Sequence, residues 1–382
     1  MDRVLAWTRR NQPAIIEMIR EFVECESPTD SPADVRRFND LLAGHLTGPS
    51  SSDPRRASAR RNRAGSLIAE FRPHGRKTDK RCLVLGHADT VWPLGTLQSM
   101  PFRRKQGRLW GPGVLDMKGG LAFFVFAMRA LSELDIPLTR EVILLVNPDE
   151  ETGSHASRAT TEALAGKSDA VIVLEPGTGL EGKAKTARKG TGAWTLNVRG
   201  IAAHAGVDFE KGSSAVVELA RQIEVISGFS DPSRGITVNP GVISGGTRSN
   251  VVAARASAEI DIRVPRLADA KTLDRKFRSL RPFDRRCRLE LSGGLNRPPM
   301  EPTKGGADLF TTARRLAAEL GCDLEESSTG GGSDGNFTAA LGIPTLDGMG
   351  AVGEGAHAAH ESILIDRIPD RVALLAKLLV AE

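Results

Sequence analysis

The stretch CLVLGHADTVWP (Cys82–Pro93) decides the fold. An apolar run goes straight into a His-x-Asp pair, His87 and Asp89. VILLVNPDEETGS (Val142–Ser154) and AVIVLEPG (Ala170–Gly177) repeat the layout and end on Glu150, Glu151 and Glu175. Near-continuous apolar runs read as strands covered on both faces, the habit of a parallel sheet. We place these strands at 82–86, 142–147 and 170–175. In an open α/β sheet, ligands bind outside the carboxyl ends of the strands. GPGVLDMKGG (Gly111–Gly120) brings Asp116 to a loop that enters a helix, and GEGAHAAHES (Gly353–Ser362) brings His357 in a glycine-rich loop. One Asp, two Glu and two His converging there make a site for two divalent metals with mixed nitrogen and oxygen ligands.

Working outward, Ile15, Met18, Ile19 and Phe22 share one face of a helix over residues 13–25. Ser31 and Pro32 open a second helix, whose stripe is Val35, Phe38, Leu41 and Leu42. After Asp116, the residues Leu121, Phe124, Val125, Met128 and Leu131 recur at helical spacing. Strands alternating with helices predict an α/β fold with a largely parallel sheet. The pattern changes near residue 188. GAWTLNVRG (Gly192–Gly200) and ASAEIDIRV (Ala256–Val264) alternate strictly, as strands of an antiparallel sheet with one wet face do. Helices over Ser213–Ile226 and about 267–280 accompany them, making an α+β sandwich. The α/β pattern then resumes with helices over Ala307–Leu320 and Pro369–Val380 and a strand at Ile343–Leu346. The expected organisation is a metal-binding catalytic domain over 1–187 and 298–382, with an α+β domain inserted over 188–297.

Composition bounds the function. The chain has 382 residues, 26% of them charged and 4% aromatic, with a net charge of +5. Length suits about two domains. No apolar run approaches the ~20 residues of a membrane span, and the N-terminal MDRVLAWTRRNQ lacks the layout of a signal peptide. The expectation is a cytoplasmic protein with no membrane partner. Cys25, Cys82, Cys287 and Cys322 are scattered with no CxxC and read as buried thiols rather than disulfides or zinc ligands. The basic stretches Pro54–Arg63 and Phe102–Arg108 lack the interleaved aromatics of a nucleic-acid surface. They read as solvated loops or hairpins, and nucleic acid is not an expected partner.

Each chemical residue has a plain reading when taken singly. His87 alone is an ordinary polar residue, Asp116 a helix cap, and Asp149 with Glu150 and Glu151 a surface acidic run. Glu175 is harder to dismiss, because a charge at the tip of an apolar strand is costly unless paired or metal-bound. GGGSD (Gly330–Asp334) reads either as backbone donors for an anion or as a turn. What reverses the plain readings is their order, each at a strand-to-loop junction.

GHADTVWPLGTL, GPGVLDMKGG, NPDEETGS, VLEPG, RKGTGAWTLNVRGIAAHAG, GGTRSNVVAARASAEIDIRV, GGGSDGN and GAHAAHE together resemble the dinuclear-zinc exopeptidases and deacylases. The resemblance spans nearly the whole chain and is nearest to the glutamate carboxypeptidase branch, with acetylornithine deacetylase and succinyl-diaminopimelate desuccinylase as relatives. It implies metal ligation by His87, Asp116, Glu151, Glu175 and His357, with Asp116 bridging two metals. It implies Glu150 as general base, Asp89 as the residue orienting His87, and a cis peptide after Asp116. Further, it implies an oxyanion-stabilising His204, substrate-carboxylate binding by Asn250, Arg263 and Arg297, and a hinge at Lys189 and Gly190. The inserted domain is implied to be a lid through which the chain forms a homodimer. His360 is the weaker tail-loop candidate, and His45, His74 and His155 carry no motif.

The expected function is therefore metal-dependent hydrolysis of an amide next to a C-terminal carboxylate-bearing residue. Water held between two metal ions, expected to be Zn2+ with Co2+ or Mn2+ as alternatives, loses its proton to Glu150. The expected substrate is a small peptide or an N-acyl amino acid. The alternatives are an N-acyl amino-acid deacylase, an aminopeptidase, a catalytically silent metal-binding protein and, least supported, a nucleic-acid binder.

Overall fold

The computed structural model describes residues 2–47, 57–73 and 79–381. His74 and Pro54–Arg56 of the basic stretch lie outside them. The chain forms two compact units. One comprises Met1–Ala187, Pro302–Thr329 and Ser333–Glu382, and the other Arg188–Glu301 with Gly330–Gly332.

The first unit is built on a six-stranded sheet. Arg81–His87 lies at its middle, in parallel register with Glu141–Asn147 on one side and Ala170–Val173 on the other. His87 stands opposite Asn147, so the two strands end level. Thr345–Leu346 adds a further parallel partner to Ala170–Val173. The far side departs from the expected parallel sheet. Leu67–Phe71 pairs antiparallel with Glu141–Asn147, and Ser58–Arg61 pairs antiparallel with Leu67–Phe71. The sheet is mixed because that edge is a hairpin, and strands joined by a tight turn can only run antiparallel. The described part of the first basic stretch is the hairpin's outer strand. The second basic stretch is also a hairpin, of Arg103–Lys105 with Arg108–Trp110.

Side-chain alternation splits the strands between two cores. Cys82, Val84, Val142, Leu144, Val146 and Ile172 join one core, and Leu83, Leu85, Ile143, Leu145, Val171 and Val173 the other. Such two-sided burial is why the runs carry no polar beat. The larger core takes in the helices Arg3–Glu24, Gly119–Glu133 and Ile368–Val380. The first of these begins well before residue 13. Asp2 caps it by accepting the N–H groups of Val4 and Leu5, and Pro13 lies inside it. Proline favours a first turn, so its presence misplaces the start in the sequence; Val4, Leu5 and Trp7 continue the buried stripe.

The second unit is a four-stranded antiparallel sheet with helices Ala215–Ser227 and Leu267–Arg278. Gly190–Arg199 and Arg255–Val264 are its two central strands, with Ile260 opposite Trp194. Trp194, Leu196, Val198, Ile260, Ile262 and Val264 face a core that includes Leu219, Ile226, Leu273 and Phe277. The Trp194 and Phe277 rings stack at 5.0 Å between centroids. The edge strands Thr237–Gly245 and Arg288–Arg297 are hidden in the sequence by Pro240, Gly241, Gly293 and Gly294. Pairing shifts register at Pro240 and Val242, a bulge that an edge strand tolerates.

The MKGG motif is explained by packing. Lys118 is buried, donates to the Cys25 carbonyl at 2.7 Å and lies over the Phe38 ring. Burial pulls its pKa down to about 8. A Cβ on Gly120 would sit 2.2 Å from the Leu174 carbonyl oxygen, so only glycine lets this helix approach the strand end. Helix propensity alone makes Gly→Ala stabilising by about 1 kcal/mol. Here Gly120→Ala should instead destabilise by about 1–3 kcal/mol through overpacking. A urea midpoint that falls agrees with this close approach, and one that rises contradicts it.

Candidate active site

The site grows out of the strand ends. His87 is the last residue of its strand, Glu150 and Glu151 open a tight turn that starts three residues beyond Asn147, and Glu175 lies two residues beyond Val173. Asp116 comes from the irregular segment Val114–Lys118 that leads into Gly119–Glu133, and the peptide Asp116–Met117 is cis. His357 sits at φ +62° in the loop between Gly353–Glu354 and Ser362–Leu364.

These segments bring the five expected ligands, His87, Asp116, Glu151, Glu175 and His357, together. His87 Nε2 lies 3.1 Å from Asp116 Oδ1 and 3.5 Å from Glu175 Oε1. His357 Nε2 lies 3.4 Å from Asp116 Oδ2 and 3.2 Å from Glu151 Oε2. Asp116 therefore turns one oxygen to each imidazole. Donor atoms of His87, Glu150 and Glu175 lie within 4.8 Å of one another, as do those of His87, Asp116 and Glu151.

Electrostatics shows what this geometry demands. Burial pushes the His87 pKa down, but hydrogen bonds to Asp116, Asp89 and Glu175 outweigh it, leaving it well above the ordinary histidine value. Hydrogen bonds to Asp116 and Glu151 raise His357 to about 10. Burial raises the carboxyl of Glu151, whose Oε1 is buried without a hydrogen-bond partner. Crowded carboxylates in a low dielectric attract positive charge.

The arrangement fits two divalent cations. In a tetrahedral zinc site with ligand distances near ~2.05 Å, neighbouring ligand atoms stand about 3.3 Å apart. The four N···O separations, 3.1 to 3.5 Å, match that edge. Charge-assisted hydrogen bonds would be shorter, about 2.7–2.9 Å. The His87 tautomer is also suited to ligation. Its Nδ1 donates to the Asp89 carbonyl at 2.9 Å, which leaves Nε2 aimed at the carboxylates. Glu151 Oε1, buried without a hydrogen-bond partner, offers an unused oxygen inside the cluster.

Asp89 touches both His87 and the turn at Glu150 and Glu151. Its carboxylate stands 3.4 Å from His87 Nδ1 and accepts the N–H groups of Glu150 and Glu151 at 3.2 Å each, so one buried acid holds both halves of the site. Two further acids carry no spacing signal in the sequence. Asp334 accepts from Asn147 Nδ2 at 2.6 Å and from the Ser154 hydroxyl, bracing the loop that carries Glu150 and Glu151. In GGGSD the acting groups are thus the side chains of Asp334 and of Ser333, whose hydroxyl donates to Asp347. Glu361, beside His360, is buried and accepts four hydrogen bonds around Asp116. Burial pushes its pKa up to about 7 against the pull of these donors. His360 is exposed, and neither donor group includes it. His155 is exposed, while His45 packs on Phe22 and pairs with Glu21.

The other candidates belong to the second unit. His204 is exposed, and its Nδ1 accepts the Gly206 N–H at 3.1 Å, so the ring proton is on Nε2. Asn250 is exposed on the neighbouring segment, where its carbonyl accepts the Ala205 N–H. Arg263 forks onto Asp261 through two 2.9 Å hydrogen bonds. Arg297 is buried, with Nη1 3.5 Å from the Asn296 side-chain oxygen. The four cysteines are free thiols, but only Cys82 and Cys287 are buried as expected, while Cys25 and Cys322 are half-buried; among the described residues no helix is long and apolar enough to cross a membrane.

Residues 83–381 match the sequence profile of peptidase family M20/M25/M40. The chain belongs to this family. It is similar to carboxypeptidase G2 of Pseudomonas sp. (strain RS-16), with 28% identity over 97% of this chain and 89% of that protein. It is also similar to succinyl-diaminopimelate desuccinylase of Verminephrobacter eiseniae (strain EF01-2), with 29% identity over 76% of this chain and 75% of that protein. Its fold is that of aminopeptidase PepT from Bacillus cereus ATCC 10987, with a TM-score of 0.78 at 23% identity over 97% of this chain and 98% of that one. As an M20 family member with a two-cation donor cluster, the protein is a metal-dependent hydrolase.

Metal binding should raise its stability, because a ligand that binds only the native state adds about 2.7 kcal/mol at 100 times its Kd. Calorimetry of chelator-stripped protein should show two equivalents of zinc bound per chain and a higher unfolding temperature. Asp116→Asn should lower both affinities. A single equivalent, with wild-type affinity retained in the variant, contradicts sharing of Asp116.

Proposed function

We propose that the protein hydrolyses the amide of an N-acyl amino acid. The observation that carries this reading is the donor cluster shared through Asp116, with a Glu150 oxygen within 4.8 Å of the His87 and Glu175 donor atoms. The similarity to a desuccinylase supports an acyl group on an amino acid. A second reading, release of a C-terminal residue such as glutamate from a peptide, was the first expectation from the sequence. Similarity to carboxypeptidase G2 over almost the whole chain favours it. Chemically the two differ only in the acyl group, since both break an amide whose nitrogen belongs to a carboxylate-bearing amino acid.

Two cations held by His87, Asp116, Glu175, Glu151 and His357 would supply Lewis acidity toward the carbonyl and ease deprotonation of water. Glu150 takes a proton from the attacking water and returns it to the departing nitrogen, the role of a general base that becomes a general acid. Asp89 fixes the turn that aims Glu150 and keeps Nε2 of His87 directed at the carboxylates. His204 is assigned to the developing oxyanion, for which an Nε2 proton is the suitable donor. Asn250, Arg263 and Arg297 are assigned to the substrate carboxylate. For Arg263 this requires the substrate to share or displace the Asp261 carboxylate, which is a carboxylate held in the same bidentate manner. Gly190–Arg199 begins at the assigned hinge, and the Lys189 ammonium donates to the Gly235 carbonyl.

We also infer a homodimer formed through the inserted unit. Val242 and Ile243 on the edge strand Thr237–Gly245 are 56% and 65% exposed, and Val207 and Phe209 are 72% and 65% exposed. An edge strand with apolar side chains invites pairing with another chain. Sedimentation should give twice the chain mass, falling to one chain mass in Ile243→Asp. A monomeric wild type contradicts the inference.

Glu150→Gln should keep two bound cations and lose at least about 100-fold in kcat. Near-normal turnover would remove Glu150 from the base role, and loss of metal would make it a ligand. A panel of N-acyl amino acids, peptides ending in glutamate and peptides with a free α-amine separates the readings. Preference for the first class is expected. Preference for the second favours the carboxypeptidase reading, and a requirement for the free amine refutes both.

A further inference from the structure

Asp116 and Met117 leave helical backbone geometry within Val114–Lys118, which keeps a backbone hydrogen bond from Lys118 N–H to the Gly113 carbonyl. The rest of the hold on Asp116 comes from a side chain in the tail loop. Glu361 is fully buried and lies four residues beyond His357. Its Oε1 accepts the N–H groups of Leu115 at 2.8 Å and Asp116 at 3.1 Å. Its Oε2 accepts Gly113 N–H at 2.9 Å and the Trp92 indole N–H at 2.8 Å. Both oxygens are thereby committed to donors, so Glu361 is not a further ligand. Its backbone carbonyl also accepts the Gly111 N–H at 3.4 Å, and its own N–H donates to Ala358 in the turn after His357. The adjoining strand Ser362–Leu364 pairs with Arg108–Trp110, which leads into the Asp116 segment.

We propose that Glu361 is a positioning residue that sets the distance and orientation of Asp116 relative to His357, and so how the two Asp116 oxygens are presented to the two imidazoles. This rests on the two-cation reading of the site. The argument is one of donors and acceptors. Three backbone N–H groups in one irregular loop point at one spot, and only a carboxylate presents acceptors in both directions at once. An amide in its place turns an NH2 group toward two of the four donors. The loop must then move to satisfy them, since a buried unpaired donor is costly. Asp116, whose own N–H is among the four, moves with it. Glu354, which also lies in the tail loop, is exposed and pairs with Arg108, so the clamp is specific to Glu361.

The test compares wild type with Glu361→Gln and Glu361→Asp, using zinc competition against a chromophoric chelator, steady-state kinetics on the best substrate found, and thermal unfolding. Glu361→Gln should weaken zinc binding about 10–100-fold, as loss of a group supporting a metal ligand does. It should lower kcat by a similar factor while KM stays within about threefold. Glu361→Asp keeps the charge and should show a smaller loss in both. Folded variants with wild-type zinc affinity and kcat overturn the proposal. So does a loss confined to unfolding temperature, or failure of both variants to fold, because either would make Glu361 a folding residue. If wild type itself binds no zinc, it is the two-cation reading that fails.

Discussion

Mutual repulsion among Asp116, Glu150, Glu151 and Glu175 is the constraint on which the first unit depends. Four carboxylates and two imidazoles are gathered at the carboxyl end of one sheet, with His87 and Glu175 buried. Without cations the imidazoles carry the compensating charge, and His357 is raised to about 10 by its two carboxylate neighbours. Proton and metal ion compete for the same nitrogen, so metal uptake releases protons from the site. A cluster of this kind destabilises a fold unless something stabilising occupies it. Its persistence at the end of three apolar strands is a functional feature set against a stabilising core.

The rest of the unit holds that cluster in place. Arg81–His87 and its neighbours are packed on both faces right up to the strand ends. Gly120 lets the helix after Asp116 reach the Leu174 carbonyl, and Lys118 anchors that helix to the Cys25 carbonyl. Buried acids then secure each irregular segment by accepting backbone N–H groups. Asp89 secures the turn at Glu150 and Glu151, and Glu361 secures the loop at Asp116. Asp334 braces Asn147 and Ser154. Carboxylates appear in both layers for one physical reason: ionised, they are acceptors only, and either a cation or an N–H donor satisfies them.

Much of this was legible in the sequence because the residues that gather stand where apolar runs stop. The strands ending at His87, Asn147 and Val173, the helix after Asp116 and the alternating strands around Trp194 and Ile260 all announce themselves by period. The antiparallel hairpin edge did not, since LIAEF is too short to show its partner. Thr237–Gly245 and Arg288–Arg297 are broken by glycine and proline at a bulge and at sharp bends, and Pro13 disguised the start of a long helix. Glu361 and Asp334 were illegible for a different reason. A buried acid that bonds backbone N–H groups obeys no spacing rule, and its partners are defined only once the chain is folded. The engagement of Arg263 by Asp261 was similarly visible only as geometry, although the two are neighbours on one strand face.

We infer that two cations share Asp116, and anomalous diffraction from zinc-loaded crystals, collected on either side of the zinc absorption edge, decides it. Two peaks per chain are expected, one bounded by His87, Asp116 and Glu175 and the other by Asp116, Glu151 and His357. A single peak, or two peaks of which only one touches Asp116, would contradict it.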